Sequence, residues 1–98
     1  MTQAFARTST AHDIVDLIAM AQAAVAAALQ AEGAFELASL NFEALAQSPA
    51  AAVIEARVVL DRVTRSLAFA TAELVDRDSG KPVGLVRTVW RRKLLDGQ

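Results

Sequence analysis

Hydrophobic and polar residues follow two different periods along this chain. Between residues 14 and 29 apolar side chains recur every three or four positions, which predicts an amphipathic helix. Its apolar stripe consists of Ile14, Leu17, Ile18, Ala21, Val25, Ala28 and Leu29, and its polar side carries His12, Asp16 and Gln30. Thr10 is the predicted N-cap, and Asp13 extends it as in a capping box. The helix is therefore expected to begin near Ala11 and to stop at Gly33.

The other faces of this helix carry small side chains. Eight of the thirteen residues from 19 to 31 are alanine, so another element can approach the helix closely on most sides. Residues 17–31 carry no charge, but these 15 residues are fewer than the roughly 20 that span a bilayer. Asp13 and Asp16 stand just before this segment, and a secretory signal would have basic residues there. We therefore expect a buried core helix, no export and no membrane partner.

After residue 33 the period changes to two, the period of β-strands. The alternation from Phe35 to Phe42 slips at Ser39, which predicts a bulge. A second segment, Ile54 to Leu60, places its apolar side chains on one face. The stretches RSLAFATAELVDR and VGLVRTVWRRKLL predict two more strands, joined by the turn-forming DSGKP. The predicted order is one helix followed by four antiparallel strands.

A four-stranded antiparallel sheet has one face that must be covered, and the helix is the element available to cover it. The economical arrangement is a curved sheet wrapped around the helix. We therefore predict an α+β fold in a single domain over residues 1–98. A chain of 98 residues buries only about two thirds of the surface that its unfolded form exposes. A second copy is expected to cover part of the rest.

The amino-acid composition reduces the number of partners and cofactors to expect. The formal net charge is −1, with 10 basic and 11 acidic residues, so the charge gives no reason to expect nucleic acid as a partner. With no cysteine and one histidine, we expect no metal site, and no phosphate-binding glycine loop is present. We expect no cofactor. The lack of cysteine fits a cytoplasmic protein.

Two stretches resemble hotdog-fold proteins that bind acyl thioesters of coenzyme A or of acyl carrier protein. AMAQAA, residues 19–24, looks like the central-helix motif of β-hydroxyacyl-carrier-protein dehydratases. IEARVVLDRVTRSLAFATAELVDRDSGKPVGLVRTVWR looks like the closing strands of acyl-coenzyme A thioesterases of the phenylacetate-degradation type. The resemblance covers roughly residues 12–93. It implies a hotdog fold truncated at the N-terminus, an acyl-coenzyme A or acyl-carrier-protein thioester as ligand, and a homodimer or homotetramer.

Catalytic features of both families are missing here. Ile18 stands where the dehydratases usually have a glutamate, and the ARTSTAHD segment lacks the His-Gly-Gly loop of the thioesterases, of which His12 is interpreted as a remnant. The resemblance thus implies a thioesterase-like protein with weak or lost catalysis. Its ligand would lie at a subunit interface, with the acyl chain against Leu17, Met20 and Phe42. The alternatives are a non-enzymatic acyl-binding or assembly module and a dehydratase- or hydratase-like companion subunit.

Three residues of the helix region are candidates for the site. Asp16 and His12 lie one helical turn apart and could form an acid–base couple, and the alternative is a solvated surface pair. Gln22 could hydrogen-bond a thioester or the backbone of a partner subunit. The alternative for Gln22 is a buried amide paired with a strand carbonyl.

Polar residues of the strands complete the list of candidates. Arg87 and Arg91 could hold the phosphates of coenzyme A, because guanidinium groups suit them. A strand edge protected by charge explains the same residues without a ligand. Asn41 is either a bulge residue or a polar group of the site. Trp90 is expected in the core or at an interface.

Overall fold

The computed structural model of this chain describes residues 2–9, 13–47 and 52–94, with the backbone alone for 2–9. Within those residues lie five strands and one α-helix. They are β1 (Thr2–Ser9), α1 (Ile14–Leu29), β2 (Phe35–Ala44), β3 (Ile54–Val63), β4 (Leu67–Asp76) and β5 (Pro82–Arg92). A short 3-10 turn, Gln30–Glu32, continues α1.

All five strands form one antiparallel sheet in the order β1-β3-β4-β5-β2, so β1 and β2 are its edges. Helix α1 packs against one face of the sheet. The helix residues that become buried there are Leu17, Met20, Ala21, Ala24, Val25, Ala28 and Leu29. The alanines allow the close approach that the sequence predicted. The α+β hotdog architecture, with one central helix wrapped by a curved antiparallel sheet, is confirmed.

Alternation along the strands decides which side chains meet the helix. On β3 and β4 the helix-facing residues are buried, and they are Ile54, Ala56, Val58 and Leu60 together with Ala68, Ala70, Ala72 and Leu74. On β2 the register with β5 shifts between Leu37 and Ser39. The predicted bulge is therefore confirmed, and it keeps Leu40 and Phe42 on the helix side of the sheet.

The N-terminal strand β1 was not predicted. Its backbone pairs with β3, with an irregularity between Phe5 and Thr8. The segment TQAFARTS has few large apolar residues and no regular alternation, so its sequence gives little sign of a strand. Its pairing depends on the exposed edge of β3, which lies far along the chain.

The start of α1 differs from the prediction. Asp13, not Thr10, is the N-cap: its backbone is extended, and its Oδ1 accepts a hydrogen bond of 2.8 Å from the Asp16 N–H. The helix is described from Ile14, whereas Thr10 and Ala11 lie outside the described residues. Aspartate and threonine both cap helices well, so sequence alone did not separate them. The predicted stop at Gly33 is confirmed, since this residue has φ +128° after the 3-10 turn.

The 19 residues Ile14–Glu32 are long and apolar enough to cross a bilayer by length and composition. In this fold one side of the segment packs against the sheet, while Ile14 and Val15 at its start are exposed. Leu17, Val25 and Leu29 are all buried, as in the core helix of a folded domain.

Arg92, near the end of β5, joins three separate parts of the fold. Its guanidinium donates hydrogen bonds to the carbonyl oxygens of Arg65 (2.7 Å), Glu32 (3.0 Å) and Thr64 (3.3 Å). It also lies over the ring of Phe35, 4.5 Å from the ring centroid. One side chain thus ties the β3–β4 connection and the end of the helical segment to β5.

Candidate functional site

A groove of about 710 Å³ opens beside the first turns of α1. It lies between the helix, the end of β2 and the start of β5. Its lining is mostly apolar and consists of Asp13, Ile14, Val15, Leu17, Phe42, Ala44, Ala46, Gln47 and Val83. A concave apolar surface with a few polar groups at its margin is the usual form of a small-molecule site.

The helix and sheet supply opposite sides of this groove. On the helix, Leu17 is buried, whereas Ile14 is 55% exposed and Val15 is 75% exposed. On the sheet, Phe42 lies after the bulge of β2 and pairs with Val86 of β5. This register directs its side chain toward the helix side of the sheet. The helix periodicity and the strand register together place these apolar groups around one space.

The segment after β2 is held against the start of β5. The carbonyl oxygen of Val83 accepts hydrogen bonds from the N–H groups of Leu45 (3.0 Å) and Ala46 (3.4 Å). This pairing fixes Ala46 and Val83 in the lining of the groove. Leu45, the residue directly before Ala46, has a side chain that is 47% exposed.

Asp13 and Asp16 place two carboxyl groups at the N-terminal end of α1. Asp13 lines the groove, and as N-cap it is engaged with the Asp16 backbone. Desolvation by the surrounding chain raises the pKa of the Asp16 carboxyl above its ordinary value of 3.8. The charge of Asp13 and a hydrogen bond with it raise that pKa further.

The predicted partner of Asp16 cannot be placed. His12 lies outside the described residues, so the Asp16–His12 couple stays a prediction. The Asp16 side chain is exposed on the polar side of the helix. The backbone N–H groups of Ile14 and Val15, in the first turn, have no acceptor within the helix because of their position. Both N–H groups lie beside the groove, whose lining includes Ile14 and Val15.

The residues expected to contact an acyl chain separate into two groups. Leu17 and Phe42 line the groove. Met20 is only 8% exposed and belongs to the core between helix and sheet. Sequence reasoning missed Val83, Ala46 and Gln47, because they follow strand ends and carry no periodic signal of their own.

Gln22 is exposed, so its interpretation as a buried amide paired with a strand carbonyl is wrong. It lies on one helix face with Val15 and Ala19, which are also exposed. Small or apolar residues surround this amide along the open side of the helix. Gln22 does not line the groove of its own chain.

Arg87, Arg91 and Asn41 lie on the outer face of the sheet, away from the helix. On β5 their neighbours Val86, Thr88 and Trp90 are buried on the helix side, so the arginines point the other way. Arg87 forms an ion pair of 3.5 Å with Glu43, and Arg91 forms one of 3.2 Å with Glu36. The structure thus does not bring these arginines to the groove of the same chain.

The structure also gives the positions of Asn41 and Trp90 in their strands. Asn41 pairs in regular register with Arg87, so it is not the bulge residue. Trp90 is 4% exposed, which confirms a place in the core. Its Nε1–H donates to Thr88 Oγ1 at 2.8 Å, and that hydroxyl donates to the Ala70 carbonyl oxygen at 2.9 Å. Among the described residues no three His, Cys, Asp or Glu side chains gather as a metal site would require.

The sheet order and the central helix wrapped by that sheet define a hotdog fold. No family model matches the sequence, and no curated protein matches it significantly. Solved structures do match it.

Three of these structures show the likeness. The phenylacetic acid degradation protein PaaI from Thermus thermophilus, solved as a point mutant, has a TM-score of 0.77 and 26% identity, over 94% of this chain and 84% of that one. The E. coli PaaI protein from the phenylacetic acid degradation operon has a TM-score of 0.83 and 16% identity, over 95% and 80%. Thioesterase superfamily member 2 from Mus musculus has a TM-score of 0.81 and 11% identity, over 94% and 82%.

Proposed function

We propose that this chain binds an acyl thioester of coenzyme A or acyl carrier protein, with the acyl chain in the groove beside α1. The observation that carries the proposal is the apolar groove of about 710 Å³ at the helix N-terminus. That volume lies within the range of about 300–1,000 Å³ typical of small-molecule sites. The solved structures of similar fold include a protein named as a thioesterase, which supports this class of ligand.

The lining of the groove suits an acyl chain. Leu17, Phe42 and Val83 offer apolar contacts, and burying a methylene group against such surfaces contributes about 0.8 kcal/mol. The polar side chains of the lining are Asp13, at the start of the helix, and Gln47, so the lining has separate apolar and polar parts. A ligand with an apolar tail and a polar, reactive head matches this separation.

Thioester hydrolysis in this groove would draw on groups at the helix N-terminus. The N–H groups of Ile14 and Val15, which have no acceptor within the helix, would stabilise the oxyanion that forms when the carbonyl is attacked. Asp16 would accept a proton from the attacking water, and its raised pKa makes it a stronger base than an ordinary aspartate. The new C–O bond forms first and gives a tetrahedral oxyanion; the C–S bond breaks as the oxyanion collapses, and the thiolate takes the proton back from Asp16. The products are a carboxylic acid and a thiol.

A second copy of this chain is part of the proposal. The open helix face carries Val15, Ala19 and Gln22, and β2 is an unpaired sheet edge within the described residues. Small residues let two such helices lie side by side, and Gln22 would then hydrogen-bond the backbone of the partner. The homodimer or a larger homo-oligomer would close the groove.

The outer-face arginines, Arg87 and Arg91, are proposed to act on a ligand of another copy. Because Arg87 and Arg91 face away from the groove of their own chain, they would reach the phosphates of a coenzyme A ligand bound by another copy. Asn41, opposite Arg87, would lie at the same contact. We infer a cytoplasmic location, because a chain without cysteine fits a reducing compartment and the proposed ligands are acyl thioesters.

One observation favours a second candidate, an acyl-binding module without catalysis. No carboxylate stands on the helix between Leu17 and Gln30, so the middle of α1 offers no base. Asp16 alone would have to act from an exposed position. A dehydratase-like companion subunit meets the same objection, because Ile18 occupies the position of the glutamate.

Incubation of the purified protein with a panel of acyl-coenzyme A thioesters, while free thiol is followed, separates the candidates. Hydrolysis predicts thiol release that falls about 100-fold in Asp16→Asn, the contribution of a positioned base. Asp78→Asn, in the exposed β4–β5 turn, is the matched control. Binding without thiol release would favour the module, and hydration of an enoyl thioester would favour the dehydratase-like alternative. No binding of any thioester would contradict the proposal.

A further inference from the structure

Gly84, on β5, lies directly beside the aromatic ring that lines the groove. A Cβ built at this position would stand 3.1 Å from Cε1 of Phe42 and 3.4 Å from its Cζ. It would also stand 3.4 Å from Cδ1 of Leu74. Leu74 is fully buried, so it has little room to move, and the Phe42 ring would have to give way.

Phe42 connects this glycine to the groove. Strand register places Phe42 opposite Val86 and Gly84 opposite Ala44, so the ring lies diagonally across the bare backbone of Gly84. Phe42 lines the groove, and Gly84 does not. Any side chain at Gly84 therefore acts on the groove through the ring.

We infer that Gly84 sets the depth of the groove by letting the Phe42 ring settle against the sheet, and that it thereby sets the longest acyl chain the groove accepts. This inference rests on the proposed function only for the identity of the ligand. The position of the ring is a property of the protein alone. With a methyl group at position 84, the Phe42 ring, which lines the groove, has to shift by a few tenths of an ångström.

The test compares the unmodified protein with Gly84→Ala in calorimetric titrations of thioether analogues of acyl-coenzyme A, which cannot be hydrolysed. Short-chain analogues are expected to bind both proteins equally. The longest analogue that binds the unmodified protein is expected to bind Gly84→Ala up to about fourfold more weakly, the effect of losing burial of at most roughly one methylene group. Phe42→Leu added to Gly84→Ala is expected to restore long-chain binding, because the smaller side chain leaves the space free.

Val58→Ile is the matched control, since it adds one methyl group to the buried face of β3 and does not line the groove. Equal weakening of all chain lengths in Gly84→Ala, or no change in any, would overturn the inference. Absence of binding by the unmodified protein would contradict the proposed function instead. In that case nuclear Overhauser contacts between Phe42 and Leu74 decide: an unmoved ring in Gly84→Ala overturns the inference, and a displaced ring supports control of groove depth.

Discussion

At the scale of single residues, the helix N-terminus carries a charge that folding disfavours. Because desolvation and the neighbouring Asp13 raise the pKa of Asp16 in the folded state, the protonated form of Asp16 is favoured by folding. Protonated Asp16 therefore contributes its full stabilisation of the folded state below the unfolded-state pKa near 3.8. This stabilisation is lost as the pH rises through the folded-state pKa of Asp16. Asp16→Asn cannot ionise and avoids this loss.

We therefore expect Asp16→Asn to gain stability relative to the unmodified protein as the pH is raised from about 3 to about 7. Urea unfolding at a series of pH values measures the difference. Gln30→Ala, an exposed and uncharged change at the other end of the helical segment, serves as control and should run parallel to the unmodified protein. Parallel curves for Asp16→Asn as well would show that Asp16 ionises alike in both states.

At the scale of elements, Arg92 fastens the β3–β4 connection to the end of the helical segment. Lysine has one ammonium group and cannot reach three carbonyl oxygens with the geometry of a guanidinium. Arg92→Lys is expected to lower the free energy of unfolding by about 1 to 3 kcal/mol. In Arg91→Lys, which changes one exposed ion pair, the loss should stay within about 0.5 kcal/mol. Similar chemical denaturation midpoints for both variants would refute the role of Arg92.

The helix and strands differ in whether local sequence patterns predict them. Alternation on β3, the slip at Ser39 and the stop at Gly33 are local signals, and all three appear in the structure. The strand β1 depends on a distant edge, and the groove joins residues from far apart in the chain, such as Ile14 and Val83. No spacing rule connects such residues before the register of the sheet is known.

The same limit applied to the candidate site. Arg87 and Arg91 were grouped with the helix residues because of their chemistry, but strand alternation puts them on the opposite face. The contact between Gly84 and Phe42 could not be read from the sequence, since it depends on a bulge and on diagonal neighbours. Chemistry identified residue types, and only the fold could sort them by face.

At the scale of the whole molecule, one face of α1 stays open in the single chain. The exposed Val15, Ala19 and Gln22 are expected to meet a second copy, so the protein should elute as a dimer or larger assembly. Ala19→Glu puts a charge on that face and should shift the molar mass from light scattering toward the monomer. Ser79→Glu, in an exposed turn, should leave the mass unchanged. A monomeric unmodified protein would remove the second copy from the proposal.

In the proposed function, the groove beside α1 receives the acyl chain. Its most direct test is an NMR titration of the unmodified protein with a thioether analogue of a medium-chain acyl-coenzyme A. We expect the largest shifts of amide and methyl resonances on Ile14, Leu17 and Val83, which line the groove. Shifts confined to the outer sheet face around Phe69 and Val89, or no shifts at saturating analogue, would contradict it.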